Sequence, residues 1–209
     1  MILCFTIIIW MEIGISINMG KKLRNILIFI AILYGVWLLD LILVNVDFAQ
    51  YGIIPRTFYG LVGIFTAPLL HAGIFHLFSN TLPLIILLAL FSFAYPKKMI
   101  PAISLIVFLG GLLVWVFGRS DSHVGASGLI YGLATFLIVH GFLTKDIKNI
   151  LLSLIVIVAY GGLVWGLLPS ATRWWVSFEG HLFGALTGGF AAYILRTKKT
   201  DIEPIEQGI

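Results

Sequence analysis

The stretch Val124–Leu143, VGASGLIYGLATFLIVHGFL, decides what kind of molecule this is. It is apolar over about 20 residues, enough to cross a bilayer core as a helix. Near its start it carries a serine among small residues, Gly125-Ala126-Ser127-Gly128. A run this long is no barrel strand, and a chain in lipid must satisfy its own backbone, so it reads as an α-helix. Comparable runs lie at 26–46, 73–94, 99–118, 149–168 and 178–195. The expectation is an all-α, polytopic membrane protein, a bundle of six transmembrane helices.

Composition excludes the other classes. The 209 residues are 60% hydrophobic and 11% charged with a mean hydropathy of +1.09, too apolar for a water-soluble domain. The single Cys4 excludes an internal disulfide framework and a cysteine-rich metal site. The net charge of +4 calls for no nucleic-acid partner, because the basic residues flank apolar runs. Lys21, Lys22, Arg24, Lys97, Lys98, Lys145, Lys148, Arg196, Lys198 and Lys199 fall on one side of a six-span topology. Only Arg56, Arg119 and Arg173 fall on the other, a bias that puts both termini in the cytoplasm. Residues 1–22 read as an N-terminal extension, 23–196 as the membrane domain and 197–209 as a cytoplasmic tail. Glu12 interrupts the apolar extension and no basic n-region precedes it, so a signal peptide fits poorly. Met19-Gly20-Lys21-Lys22 resembles a natural start; an interfacial segment is the alternative.

In this orientation spans two, four and six run inward from the outer face. His76 and Asn80, Ser127, and His181 then share one depth near the outer ends of three helices. His76 and Asn80 are four apart and so on one helical face, as are Ser127 and Tyr131. Gly180, Gly184 and Gly188 form a small-xxx-small stripe beside His181; Gly128 and Gly132 form another beside Ser127. Such stripes let membrane helices pack backbone to backbone. If these two pack together, serine and histidine come within hydrogen-bonding reach. Taken alone, Ser127 reads as structural, its hydroxyl bonding back along its own helix. A histidine inside a span is costlier and points to function. His71 reads as a water-facing loop residue, His123 and His140 as helix-end residues without a role, and Pro83 as a bend in span two. Trp174 and Trp175 read as interfacial residues.

Taken in order, His76-x-x-x-Asn80, Gly125-x-Ser127-Gly128 with Tyr131, and His181-x-x-Gly184-x-x-x-Gly188 resemble the rhomboid intramembrane serine proteases, over nearly all of residues 23–196. The resemblance implies a six-helix bundle with a water-filled cavity open to the outer face. It implies Ser127 as nucleophile and His181 as general base, then general acid. It further implies an oxyanion hole of His76, Asn80 and the Ser127 backbone N–H, with Tyr131 packed on the His181 ring. Gly125, Gly128, Gly184 and Gly188 would support the site, and no metal or cofactor is expected. Substrates would be single-span or other membrane proteins in the bilayer; the small size and bare six-span form point to a bacterial inner membrane.

The chemistry is coherent in its own terms. A serine hydroxyl is a weak nucleophile until an adjacent base takes its proton, and charge developing in poor solvent needs preorganised donors. Three features depart from many relatives. Tyr59-Gly60-Leu61-Val62-Gly63 stands where a Trp-Arg pair is common, Ala67 where a further histidine is common, and Tyr95-Pro96-Lys97-Lys98 in place of a Glu-x-Arg element. The rival readings are an inactive relative that escorts membrane proteins and a small transporter, which would more naturally show inverted repeats and midplane charges.

Overall fold

The computed structural model describes residues 2–43, 45–169 and 176–196, with the backbone alone for 2–19. Arg173, Trp174, Trp175 and the tail expected from residue 197 lie outside the described residues. The helices are α1 (Ile2–Ile42), α2 (Gly63–Thr66), α3 (Ile74–Ala94), α4 (Met99–Phe117), α5 (Ser127–Thr144), α6 (Ile147–Tyr160) and α7 (Phe178–Ile194). Short 3-10 turns fill Phe48–Tyr51, Tyr59–Leu61 and Ala67–Leu69 in the first loop, and a longer one, Gly161–Leu167, continues α6. α1 runs without a break through residue 22, so no helix end marks the expected boundary between extension and membrane domain.

Among the described residues, five stretches are long and apolar enough to cross a membrane: Gly20–Ile42, Ile74–Ala94, Pro96–Phe117, Ser127–Thr144 and Ile147–Leu167. α7 has 17 residues, about 26 Å of helix at 1.5 Å per residue. The protein is therefore an all-helical, multi-pass membrane protein, with five such helices among the described residues. Its surface fits that medium. Phe75 and Val158 are 87% and 86% exposed, amid many other outward-facing large apolar side chains, a coat that would aggregate in water.

α5 is the centre. More than half of its span is buried, 56%, against 11% for the α1 and α6 spans. Glycine explains the depth. A Cβ on Gly184 would overlap the Gly128 carbonyl, and one on Gly188 would overlap that of Gly132. The two stripes thus do pack together, with α5 and α7 in backbone contact. On the opposite flank Ser153 of α6 donates to the Leu137 and Ile138 carbonyls of α5 at 3.1 and 3.0 Å. At the far end of α5, His140 is 1% exposed and stacked on Phe136 with ring centroids 5.1 Å apart. Its place there is packing.

Besides both ends of α1, whose run was expected at 26–46, two boundaries differ from the sequence expectation by more than two residues. The run starting at 124 becomes helical only at Ser127, because Gly125 takes φ +118° and its N–H bonds the Ala67 carbonyl of the first loop at 2.9 Å. The run 149–168 is α-helical only to Tyr160 before tightening into 3-10 geometry, at Gly161-Gly162. Both departures lie at the site.

Candidate functional site

α3, α5 and α7 run in the same direction, since α4 and α6 carry the chain back between them. Their N-termini meet at one end of the bundle: His76 lies in the first turn of α3, Ser127 is the first residue of α5, and His181 lies in the first turn of α7. Each helix start leaves backbone N–H groups without an intrahelical acceptor and carries partial positive charge. The Ser127 and Gly128 amides are two of these groups, because the first α5 bond beyond the loop runs from Ile130 N to Ala126 O.

Ser127 Oγ and His181 Nε2 are 2.9 Å apart. The other ring nitrogen, Nδ1, is 2.9 Å from the Gly166 carbonyl. A carbonyl oxygen only accepts, so Nδ1 carries the hydrogen and donates it. Nε2 is then the lone-pair nitrogen and accepts from the Ser127 hydroxyl. A backbone carbonyl here does the tautomer-fixing that a carboxylate does in a triad. The Tyr131 ring stacks on the imidazole, centroids 4.2 Å apart and 8° from parallel, and its hydroxyl donates to the Leu163 carbonyl at 2.9 Å. Both carbonyls belong to the 3-10 stretch after α6. Gly166 is required there, since a Cβ would collide with the Tyr131 hydroxyl and stand 3.1 Å from His181 Nδ1. Leu163 and Gly166 went unread in the sequence; the one signal was a cluster of glycines late in an apolar run.

Asn80 is buried, and its Nδ2 finds no hydrogen-bond partner among the described residues. An orphaned buried donor costs about 1–3 kcal/mol, and this one lines a cavity, where an acceptor that enters can meet it. Gly125 lies between Asn80 and His76: a Cβ there would be 2.6 Å from His76 Cε1 and 3.8 Å from Asn80 Nδ2. With its positive φ, no other residue fits the position without strain.

Ser127, His181, His76 and Ser79 line two cavities. One, of about 400 Å³, runs between α3 and the 3-10 stretch past Pro83, Tyr131 and Trp165. The other, of about 680 Å³, is lined by the loops that precede α3, α5 and α7. The pair thus sits where the two cavities meet.

His71 is a correction. It is 5% exposed rather than water-facing, with its ring edge-on to His76 at 5.1 Å and its Nε2 accepting from the Ala126 N–H at 3.5 Å. Burial, and then the neighbouring His76, push its pKa down from 6.5 to about 4. The unfolded chain takes up this proton at higher pH than the folded one, so stability should fall as pH drops from 6.5 towards 4. Thermal melts across that window should show the decline, and His71→Gln should flatten it.

Among the described residues, no group of three or more His, Cys, Asp or Glu side chains could hold a metal ion.

A multi-pass helical bundle with a serine–histidine pair near one end is the class that the geometry defines. A family model for the rhomboid domain matches residues 59–198. The chain belongs to the rhomboid family. It is also 41% identical over 178 residues to an uncharacterized protein of Mycobacterium tuberculosis, covering 82% of this chain and 74% of that one. An uncharacterized protein of Mycobacterium leprae is 38% identical over the same length, covering 82% and 70%. The family is one of intramembrane proteases.

Proposed function

We propose that this protein is a serine endopeptidase that hydrolyses peptide bonds in or near the transmembrane segments of membrane-anchored proteins. The observation that carries the proposal is the 2.9 Å contact from Ser127 Oγ to a His181 whose other nitrogen is committed to Gly166. Ser127 attacks the scissile carbonyl carbon as Nε2 takes the hydroxyl proton. The tetrahedral intermediate collapses as the imidazolium returns that proton to the leaving amine, leaving an acyl-serine. Water then attacks the acyl carbon, giving a proton to His181, which passes it to Ser127 Oγ as the C–Oγ bond breaks, releasing the carboxylic acid and restoring the serine.

The oxyanion of each intermediate is met by the Ser127 N–H, Asn80 Nδ2 and His76. All three helix starts present positive dipole ends to it. Asn80→Ala should lower kcat by about 10²–10³-fold and leave KM nearly unchanged, since the donor acts on charge that forms only in the transition state. Steady-state kinetics on a single-span substrate reads this directly. An intact substrate helix hides its carbonyls in hydrogen bonds, so the cleaved segment unwinds on entering the cavity.

The ten-to-three split of basic residues supports cytoplasmic termini and a site facing the outer side of a cell membrane, with α7 as the sixth crossing. The membrane domain then begins near residue 23 and ends near 196. Incubation with a fluorophosphonate, followed by peptide mapping, tests the reading: the adduct should sit on Ser127. Retained substrate binding with neither labelling nor cleavage would make the protein an escort instead.

A further inference from the structure

The loop between α4 and α5 holds the start of α7 by a set of contacts that the reaction itself does not use. His123 is 4% exposed. Its Nε2 lies 3.0 Å from the Arg119 carbonyl and its Nδ1 2.7 Å from Ser177 Oγ. The carbonyl can only accept, so Nε2 carries the hydrogen and Nδ1 accepts from the Ser177 hydroxyl. That same oxygen accepts the Gly180 N–H at 3.0 Å, capping α7. The backbone of His123 is fixed in turn by paired bonds with Ile53 of the first loop, at 3.0 and 2.9 Å.

Arg119 grips the same turn from the other side. Its Nη2 donates to the Val176 carbonyl at 2.7 Å, and its backbone N–H to Glu179 Oε1 at 3.3 Å. Its Nε stands 3.7 Å from that carboxylate. Glu179 is only 6% exposed, and a buried carboxylate needs a partner of this kind. Residues 176, 177, 179 and 180 are all tied, and His181 follows at once.

We propose that His123 and Arg119 are positioning residues: the α4–α5 loop is a clamp that seats the first turn of α7 and so sets His181 against Ser127. The proposal rests on the protease reading for its effect on rate, but the seating is measurable without turnover. A misplacement of about 1 Å costs on the order of 10²-fold in rate. The full-length protein in detergent should be compared with His123→Ala, His123→Gln and Arg119→Ala. Three readouts apply: the ¹⁵N resonance of His181 Nε2, the fluorophosphonate labelling rate of Ser127, and kcat and KM on a single-span substrate.

In His123→Ala the Nε2 resonance should lose the signature of its bond to Ser127. Labelling and kcat should drop together by about 10–10²-fold with KM little changed. His123→Gln should keep most of both, since its amide offers one donor and one acceptor spaced much like the ring nitrogens. Arg119→Ala should shift the resonance in the same sense, and its combination with His123→Ala should cost less than the product of the two. An unchanged Nε2 resonance in both alanine variants overturns the clamp, as does equal loss in His123→Gln. A wild-type protein that never labels at Ser127 sinks the protease reading, while the resonance still judges the clamp.

Discussion

Ser127→Ala is expected to abolish cleavage of a membrane-anchored substrate, a loss of roughly 10⁴–10⁶-fold in kcat, and His181→Ala should lose about as much. The two losses should match because the groups work as a unit. Without Nε2 the hydroxyl keeps its proton, and without the hydroxyl the imidazole has nothing to deprotonate. The double variant should therefore be no slower than either single one, with a residue of activity left to the helix N-termini and Asn80. Substrate affinity should survive in all three, since neither side chain holds the bound segment. Purified protein with a single-span substrate, followed by gel and mass spectrometry, gives the answer. Undiminished cleavage by Ser127→Ala would remove the mechanism outright.

The second large effect lies away from the reacting atoms. Gly184→Val should both destabilise the bundle and disable it. Even the first carbon added at Gly184 overlaps the Gly128 carbonyl, which is backbone on a buried helix and cannot swing aside. The helices must part, at an overpacking cost of about 1–3 kcal/mol. His181 lies three residues before Gly184 and Ser127 one before Gly128, so the separation opens the 2.9 Å contact directly. A rate loss on the order of 10²-fold follows from a displacement of about 1 Å. Gly189→Ala is the control. Its added carbon would meet Thr135 Cγ2 at an ordinary 3.5 Å, so melting point and labelling rate should hold. A Gly184→Val protein that melts and labels like wild type would mean that the close helix contact is not needed.

Much of this was legible before any coordinates. Periodicity and length marked the apolar runs; a histidine costly enough to need a reason stood near the outer end of two of them, and a serine near that of a third. The glycine stripes carried the packing as well, since spacing of four on a lipid-embedded helix has few other uses. The partners of His71 and His123 were not legible, for a shared reason. A histidine outside a span looks like a loop residue until its neighbours are known, and theirs come from segments 50 or more residues away: Ala126 for His71, Ser177 for His123.

The residue order by itself determined the medium, the helical class and the small set of side chains able to do acyl chemistry. These follow from transfer free energy and from local period, properties of short segments. Only the tertiary structure decided that α5 begins at Ser127, that the Gly166 carbonyl sets the His181 tautomer, and that a buried loop histidine braces α7. Each of those depends on where a backbone group from a distant segment points. A carbonyl or an N–H is the same in every residue, so no pattern of side chains announces which one will be used.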